Sequence, residues 1–314
     1  MNKLQEITGI PACPIRPPDG HKGTFGTVLV VGGSGTEHRM LGGPCLAAMG
    51  ALRSGCGLAV LAVPERLLDA ALTVVPEATG FALSCEADGS LLSSVSADLD
   101  RILSEVKPHA LAIGPGLGLG SGVEKLVASA CQREDIPRVL DADALNSMAA
   151  SGINQLRGPV VLTPHPGEWT TLARALGVDG DSIDDLQRPQ AAANLAKRLD
   201  AGGGPVIVVL KGARTVVSDG ERFWRSDAAE SVLAVGGSGD VLCGVVAGLL
   251  AQCHPRQGEA ARADRLDAFD IACLAVALHA RAGELHAASR GDSGMLAREL
   301  AMEITAARRD LSGC

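Results

Sequence analysis

GTVLVVGG, residues 26–33, is an unbroken aliphatic run that ends in two glycines. A run this short and this apolar reads as a strand buried on both faces. The pattern recurs. GLAVLAV (57–63), HALAIG (109–114), RVLDAD (138–143), PVVLTP (159–164) and PVIVVLKG (205–212) read as further strands. Helical stretches separate them: a small-residue helix over Leu46–Arg53, PERLLDAALTVV (64–75), a segment near 122–132, and helices over 167–176 and 184–200. A hairpin turned at Ser218-Asp219-Gly220 follows the last strand, and three helices (240–252, about 266–288 and 294–308) close the chain. Buried strands alternating with helices predict an α/β fold with a mostly parallel central sheet and helices on both faces. The polar stretch QGEAARADRLDA (257–268) reads as a loop. Residues 1–20 form a Pro-rich segment expected to cover the surface or hang loose, and 21–314, with no linker or repeat, read as one domain.

Composition narrows the function. The 314 residues are 46% hydrophobic and 20% charged, a globular balance, but aromatics make up 2% and Tyr is absent. The core must therefore be built from Ala, Val and Leu, with 39 glycines allowing close backbone approach. A net charge of −8 with no Lys/Arg cluster excludes a nucleic-acid footprint. The longest apolar runs, such as Met40–Leu52, are too short and Gly-rich to span a membrane. The N-terminus lacks the apolar core of a signal peptide, so a cytoplasmic protein is expected. Nine scattered cysteines without a CxxC pair, among them Cys45, Cys56, Cys243 and Cys273 in apolar surroundings, predict reduced, buried thiols rather than metal-thiolate chemistry.

In a parallel α/β sheet, ligands bind beyond the carboxyl ends of the strands. The segments there are GGSG (32–35), IGPGLG (113–118), LDADALN (140–146), LTPHPGE (162–168), LKGART (210–215) and, before an apolar helix, GGSGD (236–240). Each has two readings. Asp141 and Asp143 are strand-end and helix-cap residues or site carboxylates. His165 is a turn residue or a ligand contact, and Lys211 is a surface lysine or a phosphate holder. Asp240 is a helix cap or a working carboxylate. The clustering of glycines, carboxylates, one His and one Lys on a single rim favours the second set. Loop amides and a helix N-terminus in GGSGD suit a transferring phosphoryl group, with Asp240 beside it as the base for an attacking hydroxyl. A P-loop is excluded by the lack of GxxxxGK[ST], and GGSGTEHR (32–39) lacks the dinucleotide-binding spacing.

KGTFGTVLVVGGS (22–34), GALRSGCGL (50–58), VPEATG (75–80), IGPGLG (113–118), LDADALN (140–146), TPHPGE (163–168), LKGART (210–215) and GGSGDVLCG (236–244), in that order, resemble the ADP/ATP-dependent NAD(P)H-hydrate dehydratases of the ribokinase-like superfamily. The resemblance runs from His21 almost to the C-terminus. It implies a three-layer ribokinase-like fold and repair of hydrated NADH or NADPH. The ring hydroxyl is phosphorylated by ADP or ATP with Mg²⁺, the ring nitrogen expels phosphate, and loss of a proton restores the double bond. It further implies Asp240 as base and Gly237, Ser238 and Gly239 as anion hole. Lys211, Gly212, Ala213, Arg214 and Thr215, with Gly239, would hold the nucleotide. Gly43, Gly116, His165 and Asp240 would hold the substrate, and Glu168 would organise Mg²⁺ through water. A homo-oligomer is expected. The 20 residues before the motifs leave no room for a companion epimerase domain, so a separate epimerase is the expected partner. The chain departs from the family pattern at Ala229-Glu230-Ser231, where Gly-Asn is common, and at Gly42-Gly43-Pro44, where Gly-Ala is common. A small-molecule kinase acting on a sugar or hydroxymethyl group would use the same base and anion hole, and a non-catalytic nucleotide sensor is the third reading.

Overall fold

The structure is a computed structural model that describes residues 4–229, 231–255 and 265–312. Its ten strands are β1 (Gln5–Glu6), β2 (Thr27–Val31), β3 (Leu58–Pro64), β4 (Thr79–Leu83), β5 (Ala110–Ile113), β6 (Arg138–Leu140), β7 (Val160–Leu162), β8 (Val206–Leu210), β9 (Val216–Ser218) and β10 (Arg222–Arg225). They form one sheet in the order β1-β10-β9-β8-β7-β6-β5-β2-β3-β4. Strands β4 through β8 in that order are parallel, while β9 runs antiparallel to β8 and β10 antiparallel to β9. Every residue of β2, β5, β6, β7 and β8 is buried.

Period-two alternation along β2 divides the core. Val28 and Val30 face a layer built on α1 (Gly42–Ser54), α8 (Ser238–Cys253), α9 (Ala268–Arg290) and α10 (Ala297–Leu311). Leu29 and Val31 face the opposite layer: α3 (Val95–Val106), α4 (Ser121–Cys131), α5 (Asp143–Ala150), α6 (Pro166–Leu176) and α7 (Arg188–Leu199). The segment over 64–75 opens as a 3₁₀ turn before becoming α2 (Leu68–Val74). Besides β1 in the N-terminal segment, three elements not anticipated from the sequence are β4, α3 and α5. Of these three, the first is only partly buried along most of its length, and the last is an eight-residue helix that begins within the LDADALN motif and runs on to Ala150.

The N-terminal segment, expected to lie loose on the surface, joins the fold. Ile7 donates its amide to the Phe223 carbonyl at 2.8 Å, extending the sheet beyond β10, and Cys13 is buried. Apolar Ile7 and Ile10 and the unpaired edge of β10 outweigh the prolines. The polar loop expected over 257–268 lies largely outside the described residues; Asp267 caps α9 by accepting from the Asp270 amide at 2.8 Å. The described cysteines are all free, and all but Cys85 are buried. No helix among the described residues is long and apolar enough to cross a membrane.

Two features aim this frame at one point. Strand order reverses direction between β2 and β5, and at this switch point Gly32 lies so close to the Pro115 carbonyl that a side chain would overlap it. The second is the contact between α1 and α8. Gly50 packs on the backbone of Val241, Gly244 on that of Ala47, and Gly248 on Ala51 and Ser54, with no space for a Cβ at any of the three. Small residues thus bring the two helices to backbone contact and set their first turns side by side.

Candidate active site

Asp240 sits where those two first turns meet. It is the third residue of α8, and the helix is capped instead by Gly237, at φ 92°. Positive φ and the crowding of Leu46 and Ala297 against its Cα require glycine there. The cap reading of Asp240 is therefore not what the geometry gives. Its carboxylate accepts no hydrogen bond among the described residues, yet it lies in a narrow slot. A Cβ built on Gly43 would stand 3.2 Å from Asp240 Oδ1, 3.2 Å from the Gly116 amide nitrogen and 3.0 Å from the Pro115 carbonyl carbon. Gly43 and Gly116, far apart in sequence, thus flank the carboxylate, and Pro44 follows as a buried residue of the first turn of α1. Burial, then the neighbouring charge of Asp141, pushes the Asp240 carboxyl up to about 7, partly offset by Lys211. At the start of α8, the Ser238 amide bonds to the Val235 carbonyl, and the Val241 amide makes the helix's first i−4 bond, to the Gly237 carbonyl. The amides of Gly239 and Asp240 find no acceptor among the described residues, and they stand at the positive end of a 16-residue helix.

Lys211 joins this turn to the rest of the rim. Its ammonium is 2.8 Å from Asp141 Oδ1 and 3.7 Å from Glu168 Oε2. A Cβ on Gly239 would be 3.2 Å from the same Nζ. Burial works against the charge, but Asp141 and Glu168 outweigh it and hold the ammonium above its ordinary pKa. Asp141 also accepts from Thr163 Oγ1 at 2.7 Å. Asp143 accepts the Gly118 amide at 2.8 Å and so anchors the IGPGLG loop. Between the two aspartates Ala142 adopts φ 48°, ψ −118°, a conformation unfavourable for any residue with a Cβ. That strained link turns the chain from β6 into α5 and lets Asp141 face Lys211 while Asp143 faces the loop.

His165 is the N-cap of α6. Its Nδ1 accepts the amides of Gly167 and Glu168 at 3.0 and 3.2 Å, and Pro166 occupies the first helical position. Glu168 closes the capping box by accepting the His165 amide at 2.8 Å. The His165 ring remains more than half exposed, open to the rim. Burial raises the Glu168 pKa above the ordinary carboxylate value. Gly212 is backed by the Arg188 guanidinium, which donates to the Leu210 and Lys211 carbonyls. Ala213 lies in the same turn, Thr215 Oγ1 donates to the Gly212 carbonyl at 3.1 Å, and Arg214 pairs at the surface with Asp185 at 3.0 Å. Glu230 lies outside the described residues. No group of three or more His, Cys, Asp or Glu among the described residues is arranged to hold a metal ion. With the Lys211 ammonium already beside both Asp141 and Glu168, these residues fit Mg²⁺ carried on a nucleotide's phosphates and reached through water; they do not form an all-protein cage.

Two residues of the site were not read from the sequence: Thr163, which fixes Asp141, and His279, which lies beneath the GGSGD turn. The only sequence signal for His279 is a histidine inside the apolar run LAVALHA (274–280).

The family model for NAD(P)H-hydrate dehydratase matches residues 28–306 of the chain. A bifunctional NAD(P)H-hydrate repair enzyme of Moorella thermoacetica is 37% identical over 291 residues, which are 91% of this chain and 50% of that protein. The ADP-dependent (S)-NAD(P)H-hydrate dehydratase of Bacillus subtilis is 34% identical over 291 residues, 91% of this chain and 90% of its own. The crystal structure of the Bacillus subtilis ADP/ATP-dependent NAD(P)H-hydrate dehydratase, co-crystallised with ATP/Mg²⁺, matches with a TM-score of 0.73 at 30% identity, covering 96% of this chain and 95% of the other. The chain spans about half the length of the bifunctional relatives it matches. The three-layer ribokinase-like architecture expected from the sequence is the one observed.

Proposed function

This chain belongs to the NAD(P)H-hydrate dehydratase family, and we propose that it returns hydrated NADH or NADPH to the parent dinucleotide with ADP or ATP as phosphoryl donor. The observation that carries the reading is the slot around Asp240: a carboxylate without a hydrogen-bond partner among the described residues, walled by Gly43 and Gly116 and standing beside two unpaired amides. The hydroxyl of the hydrated ring reaches Asp240 past Gly43, where a side chain would crowd Asp240 Oδ1 and the 115–116 backbone. Asp240, poised near pH 7, takes the hydroxyl proton as the oxygen attacks the terminal phosphoryl group. The amides of Gly239 and Asp240, with Gly237 and Ser238 shaping the turn, receive the phosphoryl oxygens. Lys211, Gly212, Ala213, Arg214 and Thr215 lie along the donor's phosphates, and His165 meets the substrate at the open rim. Mg²⁺ carried by the nucleotide would neutralise phosphate charge, with Glu168 reaching it through water. The ring nitrogen's electron pair then breaks the carbon–oxygen bond, phosphate leaves, and loss of the adjacent ring proton restores the double bond.

The test is incubation with hydrated NADH and either nucleotide. Recovery of the dihydropyridine's near-UV absorbance together with free phosphate is the expected result. A stable phosphate ester of another alcohol, without that recovery, would assign a small-molecule kinase instead. We place the chain in the cytoplasm as a homo-oligomer working beside an epimerase; light scattering on the purified protein checks the assembly.

A further inference from the structure

His279 lies in the middle of α9 and is buried. Its Nε2 stands 2.9 Å from the Ser238 carbonyl oxygen and 3.1 Å from Ser238 Oγ. A carbonyl oxygen has no proton to give, so Nε2 must carry the hydrogen. A nitrogen that donates there has no lone pair left in the ring plane, so Ser238 Oγ faces it as an acceptor. The serine's own O–H is then unspent, and no acceptor for it is found among the described residues. Ser238 is 6% exposed, so bulk water does not readily take that place. It is also the first residue of α8, directly before the two amides that lack acceptors. Burial drives the His279 pKa down to about 4, so the ring brings no charge to the turn.

We propose that His279 is a positioning residue for the phosphoryl site: its Nε2–H pins the first turn of α8 through the Ser238 carbonyl and orients the Ser238 hydroxyl as a third donor beside the Gly239 and Asp240 amides. The assignment of phosphoryl transfer to this turn rests on the function proposed above; the orientation of Ser238 by His279 does not. An unpaired hydroxyl proton in a buried position is poorly placed in the free protein and well placed once an anionic oxygen arrives. The device also explains why a neutral imidazole, rather than a lysine or arginine, lies under the turn: it supplies one donor without competing for the anion.

Three variants test it: His279→Leu, His279→Gln and Ser238→Ala. Glutamine keeps an N–H donor at similar reach, whereas leucine keeps only bulk. Binding of inorganic phosphate, measured by calorimetry, should weaken about tenfold in His279→Leu and in Ser238→Ala, and remain near wild type in His279→Gln. In turnover of hydrated NADH the same two losses should lower kcat about a hundredfold with little change in KM, and the double variant should lose no more than the worse single one. Phosphate affinity and kcat unchanged in Ser238→Ala, or His279→Gln as impaired as His279→Leu, would overturn the proposal. A His279→Leu protein that does not fold leaves Ser238→Ala and His279→Gln to decide the matter. Failure of the proposed function itself looks different: wild-type protein leaves the hydrate unconverted, while the phosphate-binding order of the variants still reads out the role of His279.

Discussion

Replacing Asp240 with asparagine should make the protein more stable as it destroys its activity. The folded-state carboxyl is pushed up to about 7, chiefly by burial, against an unfolded value of about 3.9. A carboxylate whose folded pKa is raised costs stability once ionised. The cost is absent below about pH 4, grows as pH climbs from the unfolded pKa to the folded one, and is complete above about pH 7. Its full size is roughly three pKa units, or about 4 kcal/mol. Asparagine keeps the shape without the charge and escapes the cost. For 314 residues the unfolding entropy is on the order of 0.7 kcal/mol per degree, so Asp240→Asn should gain about 6 °C in Tm at pH 8 and only about 2 °C at pH 5. Thermal unfolding of both proteins across that range, followed by circular dichroism, measures the difference directly. Turnover in the variant should fall by about 10²–10⁴. A Tm difference that does not grow with pH, or a variant less stable than wild type at pH 8, would show that Asp240 supports the helix rather than being strained by its surroundings.

The pH profile of kcat/KM should fall about tenfold per unit below pH 7 as Asp240 is protonated, and Asp141→Asn should move that limb to lower pH by removing the second cause of the shift; an unmoved limb would separate the two carboxylates. Gly43→Ala places a methyl 3.0 Å from the Pro115 carbonyl carbon and 3.2 Å from Asp240 Oδ1. Steady-state kinetics should therefore show about a hundredfold loss, with Tm lowered by no more than about 5 °C. Lys211→Met leaves Asp141 and Glu168 without their cation, which should cost about 3–5 kcal/mol at neutral pH and less in acid, where the carboxylates protonate. Calorimetry on that variant should show a larger loss for the nucleotide than for the hydrate. His165→Ala removes the acceptor for two helix amides, a loss of about 1 kcal/mol in urea unfolding, and a raised KM for the hydrate in the same preparation would mark the added substrate contact.

The strands were legible because each is a short aliphatic run buried on both faces, a pattern that depends on neighbours in sequence alone. VIVVL became β8 over Val206–Leu210 and TVLVV became β2 over Thr27–Val31. Where burial is incomplete the signal fades: β4 carries exposed Thr79 and only partly buried positions before Leu83. The N-terminal segment misled because its prolines dominate its composition, while the β10 edge that receives it is assembled more than 200 residues later.

The candidate site divides along the same line. Asp240, Lys211, His165 and the aspartates of LDADALN could be named from the sequence because they sit at strand ends or at a helix start, places recognisable from local pattern, whereas Gly43, Gly116 and Glu168 took their roles from the family resemblance. What those residues do to one another could not. That Gly43 and Gly116 wall Asp240, that Lys211 spends its charge on Asp141, and that Asp240 is not the cap of its own helix all depend on distances between segments far apart in the chain. The Asp240 pKa is likewise a property of the packed molecule, because it arises from burial and from charges on other elements. His279 shows the limit most clearly: nothing adjacent to it in sequence separates it from an ordinary helical histidine, and only the packing of α9 against α8 brings its Nε2 to Ser238. Local residue chemistry determined which groups the protein carries to its rim; the close approach of small-residue helices, through energies that act only over a few ångströms, decided how those groups meet.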